Sequence, residues 1–396
     1  MKQAVMYGAG NIGRGFIGQL LHMSGYEITF VDVNPTVLER LQADGAYNVY
    51  VTGGDHYLPY RVTGVRGVNG TDATAVAEAI AAADVMATAV GVNVLPYIAA
   101  PLAGGIRRRM ELGVTAPLNV IVCENKIEAD RYLAGLIKEH LSPTECAYFD
   151  THVALIEPSI GRMVPATPAS LSAREPLAVC VEPYCELPVD RDAFLGEIPP
   201  IANLVPFSPF DFHIRRKLFM HNMSHALTAY LGSLRGYTYI WEAIADKEIR
   251  ALVRAALLES ATALANAYKV PMSELSAFAE ELIVRYENRL LGDTVLRVGR
   301  DSARKLARGD RFMGATSLCD EQGVVPTHIL IGVAAGLLFA PTDDAASCQV
   351  ASAAQSDLLG TLSTLCGLAP DSPHIDRITQ LYRAFLEHRW PDLCTN

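Results

Sequence analysis

The chain has 396 residues, half of them hydrophobic and 19% charged; it is too long for one core and too apolar for extended disorder. Its formal net charge of -10 argues against nucleic acid or an anionic membrane as partner, so a phosphorylated ligand would need a local basic pocket. No window of about 20 apolar residues and no leader-like opening is visible, and the scattered cysteines form no CxxC pair, so a cytoplasmic chain with reduced thiols and no membrane span is expected.

In chain order, residues 4–7 form a short apolar strand candidate, 12–23 a helix, 28–32 a second strand and 35–43 a second helix. Residues 84–90 and 118–123 are further strand-like runs with helical segments between and after them. Strand and helix alternating at this pitch predict βαβ units and a parallel sheet. Between Pro183 and Pro209 prolines recur at 188, 199, 200 and 206, and the domain junction is placed there. Beyond it the pattern is helical: Ile244, Leu252, Leu257 and Leu258 lie in one alanine-rich segment and Phe278, Leu282 and Ile283 in another. The expected architecture is an α/β domain over 1–190 and a mainly α-helical domain over 191–396.

Gly8-Ala9-Gly10-Asn11-Ile12-Gly13 fits GxGxxG. The pattern alone is weak, but here it follows a strand candidate and opens a helix, and Asp32 closes the next strand about 20 residues on. Gly8 permits the tight turn, Gly10 lets the backbone approach a pyrophosphate, and Gly13 lets the helix pack on the strand. The N–H groups around Asn11 and Ile12 and the positive end of the helix dipole would face the phosphates. Asp32 would accept from the ribose hydroxyls, and Val33 and Asn34 offer no cation for a 2'-phosphate, so NAD is preferred over NADP. The first domain is therefore of Rossmann type. Thr88, Val90 and Gly91, ending a later strand candidate, are further cofactor-binding candidates, since ligands sit at the C-terminal ends of parallel strands.

Lys217, His221, Asn222 and His225 fall in a stretch from 210 to 231 without proline or glycine. At about 100° per residue, Lys217, His221 and His225 make one helical stripe, with Asn222 about 60° beyond it. Lysine can serve as a base, asparagine can donate to an oxyanion without adding charge, and histidine can orient hydroxyls. His221 and His225 also have metal-ligand spacing, but Asn222 stands where a metalloprotease helix carries Glu and no third ligand is evident, so no metal is expected. Arg297, Arg300, Arg304 and Lys305 gather four cations within nine residues of an acidic chain, and arginine forks suit a phosphate.

The glycine turn extended through Arg14-Gly15-Phe16-Ile17-Gly18, Thr88-Ala89-Val90-Gly91, Cys123-Glu124-Asn125, Lys217 with Asn222 and His225, and the segments 285–288, 297–300 and 304–306 together resemble the polyol-specific long-chain mannitol dehydrogenase family, over most of the chain. The resemblance implies a Rossmann domain followed by a helical domain, with an active site between them, NAD as cofactor and no catalytic metal. It also implies a monomer that interconverts mannitol 1-phosphate and fructose 6-phosphate. In that likeness Lys217 is the general base, Asn125 and Asn222 form the oxyanion pair, and His225 orients the substrate. Arg297 and Lys305 fall among the substrate-binding cations, and His221, where members often carry an apolar residue, could touch substrate or, if charged, lower the basicity of Lys217. Gly161 replaces an aspartate common in the family and Arg289 a proline. That leaves an unphosphorylated polyol, a sugar acid or a pentitol phosphate open as substrate. A β-hydroxyacid dehydrogenase would space lysine and asparagine four apart rather than five, and a non-enzymatic NAD-binding redox sensor would need neither.

Overall fold

The computed structural model describes residues 2–390. The chain folds into two compact units, Met1–Phe210 and Asp211–Asn396. The first unit contains β1 (Lys2–Tyr7), α1 (Gly18–Met23), β2 (Tyr26–Asp32), α2 (Pro35–Asp44), β3 (Ala46–Gly53), β4 (His56–Thr63) and β5 (Val65–Asn69). It continues with α3 (Ala73–Ala81), β6 (Val85–Thr88), α4 (Leu95–Glu111), β7 (Leu118–Val122), α5 (Ala129–Lys138), α6 (Pro143–His152) and β8 (Val153–Ile156). Then come α7 (Ala169–Arg174), β9 (Val179–Val181), β10 (Leu187–Asp190) and β11 (Leu204–Phe207).

Six strands form one parallel sheet in the order β5-β2-β1-β6-β7-β8. This is the doubly wound order, with its reversal between β1 and β6, where a ligand crevice opens at the strands' C-terminal ends. Both faces are covered. Phe16, Leu20, Phe30 and Val179 pack on one and Val31, Ile80, Leu102 and Leu133 on the other, so the strands read as apolar runs rather than alternating ones. Helix starts follow local chemistry: Asn34 caps α2 through the Val37 N–H, Asp72 caps α3 through Ala75, and Ser142 with Glu145 makes a capping box on α6,. The antiparallel β3–β4 pair, joined by β9, forms a separate three-stranded sheet.

The expected boundary at 190 lies too early. β11 pairs with β10 in parallel, and the Asn119 side chain exchanges hydrogen bonds with the backbone of Leu195 (3.1 and 3.0 Å). The proline-rich stretch is thus tied to the first sheet, and the unit ends at Phe210.

The second unit is built from helices: α8 (Asp211–Arg216), α9 (Met223–Leu234), α10 (Ile240–Ala245), α11 (Lys247–Tyr268), α12 (Met272–Tyr286), α13 (Val295–Gly299), α14 (Ser302–Lys305), α15 (Arg311–Glu321), α16 (Ile329–Gly336), α17 (Ala345–Ser356), α18 (Leu358–Thr364) and α19 (Pro373–Leu386). α9 is its core element, buried from Ala226 to Gly232. No helix among the described residues is long and apolar enough to cross a membrane.

Candidate active site

In the first unit the glycine turn links β1 to α1. Gly8 has φ +101°, and a Cβ there would lie 2.4 Å from the carbonyl oxygen of Ala89. A Cβ on Gly13 would come within 2.0 Å of the Gly8 carbonyl oxygen. The fold itself therefore requires glycine at both positions. At Gly10 an added Cβ meets no protein atom within 4 Å. Asn11 and Ile12 begin the helix, whose first N–H groups have no intrahelical acceptor.

Asp32 ends β2 beside this turn. One of its carboxylate oxygens accepts the Ala9 N–H (2.7 Å), and the other accepts those of Val33 and Asn34 (2.8 and 2.9 Å). A carboxylate has about four lone-pair positions, so Asp32 fixes the turn and keeps capacity for a ligand hydroxyl. Thr88 ends β6, and Val90 and Gly91 follow it at the C-terminal end of the same sheet. The Val90 and Gly91 N–H groups donate to the two oxygens of Glu124 (2.9 and 2.8 Å). Burial raises the Glu124 carboxyl, against these two backbone bonds. Asn125, next to Glu124 in the loop after β7, is exposed. The sequence reading gave Glu124 no role, yet it ties the Thr88–Gly91 loop to the loop that carries Asn125.

Two buried arginines support the turn from beneath. Arg14 donates to the Leu177 carbonyl (2.7 Å). Arg162 donates twice to the Glu182 carbonyl (3.0 and 2.8 Å), to the Gly15 carbonyl (3.2 Å) and to the Gln19 side chain (2.7 Å). Burial lowers the Arg162 guanidinium to about 10, so it stays charged at neutral pH.

In the second unit, Lys217 and Asn222 open and close a π-helical turn, Lys217–Asn222, between α8 and α9. This corrects the regular α-helical stripe expected for Lys217, His221 and His225. With i→i+5 bonding, residues five apart stack as residues four apart do in an α-helix, so the turn itself brings Lys217 and Asn222 into line. Both are half-buried. Side chains from later helices take up carbonyls of the turn: Ser260 of α11 donates to Phe219 (2.8 Å) and Tyr286 of α12 to His221 (3.0 Å).

His225 stacks on Tyr286, with ring centroids 4.8 Å apart and planes 7° apart, and His221 lies 6.0 Å from His225. His221 is buried. Burial, reinforced by Arg285, His225, Lys217 and Arg311, holds it well below the usual histidine range. It is therefore neutral and adds no positive charge beside Lys217. Burial likewise pushes His225 down to about 4, with Asp293 opposing.

The basic cluster is internally compensated. Arg297 pairs with Asp293, Arg300 with Asp343 (3.1 Å) and Arg304 with Asp301 (2.7 Å) and Asp310 (3.5 Å). Lys305 is buried and donates to the carbonyls of Val298 (2.6 Å) and Arg300. Burial, helped by Arg311 and Arg304, brings its ammonium down to about 7. Asp293, Asp301 and Asp310 lie within six residues of the arginines they pair, and only Asp343 comes from a distant segment.

A family model for the mannitol dehydrogenase Rossmann domain matches residues 2–203, and one for the mannitol dehydrogenase C-terminal domain matches residues 210–361. The chain belongs to the mannitol dehydrogenase family. It is thereby an oxidoreductase of that family, and the resemblance read from its motifs holds. Mannitol-1-phosphate 5-dehydrogenase of Brevibacillus brevis (strain 47 / JCM 6285 / NBRC 100599) is 39% identical over 373 residues, 93% of this chain and 95% of that one. Among solved structures, a D-sorbitol dehydrogenase in substrate-free form superposes with a TM-score of 0.81 at 17% identity, covering 97% of this chain and 93% of that one. Pseudomonas fluorescens mannitol 2-dehydrogenase, in a ternary complex with NAD and D-mannitol, gives 0.75 at 15% identity, covering 98% and 92%. At these identities the two structures speak for the mannitol dehydrogenase fold.

Proposed function

We propose that the chain catalyses the reversible NAD-dependent oxidation of mannitol 1-phosphate to fructose 6-phosphate. The observation that carries the chemistry is the π-turn that begins at Lys217 and ends at Asn222, with the His225 ring fixed by Tyr286 one turn on. The phosphorylated substrate is supported by the relative at 39% identity.

NAD would be held by the Gly8–Gly13 turn, by Asp32 and by the Thr88–Gly91 loop. The fit rests on Gly10, where the protein's own packing does not call for glycine, and on the helix N-terminus that follows. Asp32 favours NAD, since a 2'-phosphate would face a carboxylate. Bound NAD supplies the hydride acceptor. Lys217 removes the proton of the reacting hydroxyl. The carboxamides of Asn125 and Asn222 donate to its oxygen as negative charge develops and relax as the carbonyl forms. His225, neutral, orients the substrate by accepting from a hydroxyl. In the reverse direction Lys217 returns the proton to the oxygen.

A Lys217→Ala variant should bind NADH as the wild type does and lose turnover by about two to four orders of magnitude. Near-normal turnover would remove Lys217 from the mechanism. A second reading, oxidation of an unphosphorylated polyol, is favoured by the carboxylates that already engage Arg297, Arg300 and Arg304. Comparing fructose with fructose 6-phosphate as NADH oxidants separates the two.

A further inference from the structure

Asp293 lies just before α13, nearly buried at 6% exposure. Its backbone is pinned: its carbonyl accepts the Ile240 N–H (2.9 Å), and Thr294 bridges to Tyr239. One carboxylate oxygen takes the Arg297 guanidinium. The other, Oδ2, faces Nε2 of His225 at 3.5 Å. Both atoms are buried, and neither makes a hydrogen bond in the structure. A buried acceptor and a group that can donate, each otherwise unsatisfied, represent an avoidable cost that one proton on Nε2 removes.

The ring has little choice of orientation. Stacking at 7° on Tyr286 fixes its plane. Tyr286 is itself held through its hydroxyl by the His221 carbonyl (3.0 Å) and Ser224 (2.8 Å). Within that plane, pointing Nε2 at Asp293 turns Nδ1 away from it.

We propose that Asp293 is a positioning residue: it holds His225 as the Nε2–H tautomer, leaving Nδ1 as a fixed acceptor for a substrate hydroxyl, and anchors Arg297 through its other oxygen. One carboxylate thus sets two of the residues assigned to the substrate. The substrate half of this inference rests on the function proposed above; the tautomer half does not.

The test uses full-length enzyme labelled with 15N-histidine, with the His225 ring signals identified as those lost in His225→Gln. Proton–nitrogen correlation through the ring should show the wild-type proton on Nε2. In Asp293→Asn the amide oxygen stays with Arg297 and the NH2 turns to His225, so the proton should move to Nδ1. Then kcat/KM for the sugar substrate should fall on the order of 10- to 100-fold, while NADH affinity holds. A wild-type ring protonated on Nδ1, or a ring unchanged in Asp293→Asn, would overturn the pairing. A switched tautomer with unaltered kcat/KM would overturn the acceptor role. If Asp293→Asn does not fold, the wild-type tautomer still decides the pairing. Failure of the proposed reaction itself is read separately, as an enzyme with the expected tautomer that oxidises no polyol, and that result removes the acceptor role too.

Discussion

Replacing Gly10 by alanine separates what the fold needs from what a dinucleotide needs. Gly8 and Gly13 are glycine for reasons internal to the protein, with added Cβ atoms 2.4 and 2.0 Å from carbonyl oxygens. Gly10 is different: its φ lies outside the left-handed region, and a Cβ there touches nothing within 4 Å. Gly10→Ala should therefore leave stability unchanged or raise it by about 0.4–1 kcal/mol through the unfolded chain. Gly13→Ala should cost about 2–3 kcal/mol as overpacking against backbone. A methyl at position 10 would stand where the pyrophosphate must approach the backbone. Losing one charged hydrogen bond there, worth about 1.5–3 kcal/mol, weakens NADH binding roughly 10- to 100-fold. The assay pairs urea unfolding with NADH fluorescence titration. Gly10→Ala binding NADH as tightly as wild type would refute the placement of the cofactor over this turn, whatever the sequence pattern suggests.

Two further outcomes follow from buried cations. The Lys305 ammonium is pushed down to about 7. Above that pH the unfolded chain holds a proton that the folded chain has released, so folding gains stability as pH rises from about 7 towards the ordinary lysine range. Lys305→Met should lose that gain, and urea midpoints at pH 7, 8 and 9 that run parallel for the two proteins would contradict it. Arg162→Met strips donors from the Glu182 and Gly15 carbonyls and from Gln19. It should cost about 3 kcal/mol and weaken NADH binding, because Gly15 lies in the π-turn Gly13–Ile17 that continues from the glycine turn; a midpoint within error of wild type would discount Arg162 as its support.

The parallel sheet was legible because buried strands are continuous apolar runs. The first-unit strands expected at 28–32, 84–90 and 118–123 correspond to β2, β6 and β7 with ends moved by a few residues. β3 and β4 went unread, although Gly53-Gly54-Asp55 marks their turn. β4 is mostly exposed, so its residues carry neither a continuous apolar run nor a clean alternation. β10 and β11 sit inside the proline-rich stretch, where Pro188 and Pro206 argue against strands; both are in a two-stranded pair that is all edge, where proline is tolerated. In the site, residue types were readable and their partners were not. Arg300 looks like part of a phosphate patch until Asp343 arrives from a distant segment, Arg304 is paired by Asp301 and Asp310 from its own stretch of sequence, and the burial of His221, which holds it uncharged, is not visible in the sequence.

The π-turns show most clearly why periodicity fell short. Among the described residues two such turns occur, Gly13–Ile17 and Lys217–Asn222, one in each stretch assigned to function. A π-turn departs from the regular α-helical ladder, so it persists only where packed side chains serve the backbone oxygens. In the first, Tyr47 donates to the Arg14 carbonyl (2.8 Å) and Arg162 to that of Gly15 (3.2 Å). In the second, Ser260 and Tyr286 serve Phe219 and His221. Each donor lies more than 30 residues from its acceptor in the chain. A helix of regular 3.6-residue period is the default expectation from local sequence, and it places Lys217 with His221. The widened turn places Lys217 with Asn222 instead. The five-residue spacing that set this chain apart from the β-hydroxyacid pattern is thus the spacing an i→i+5 turn aligns, and the tertiary hydroxyls of Ser260 and Tyr286 are what make that spacing usable.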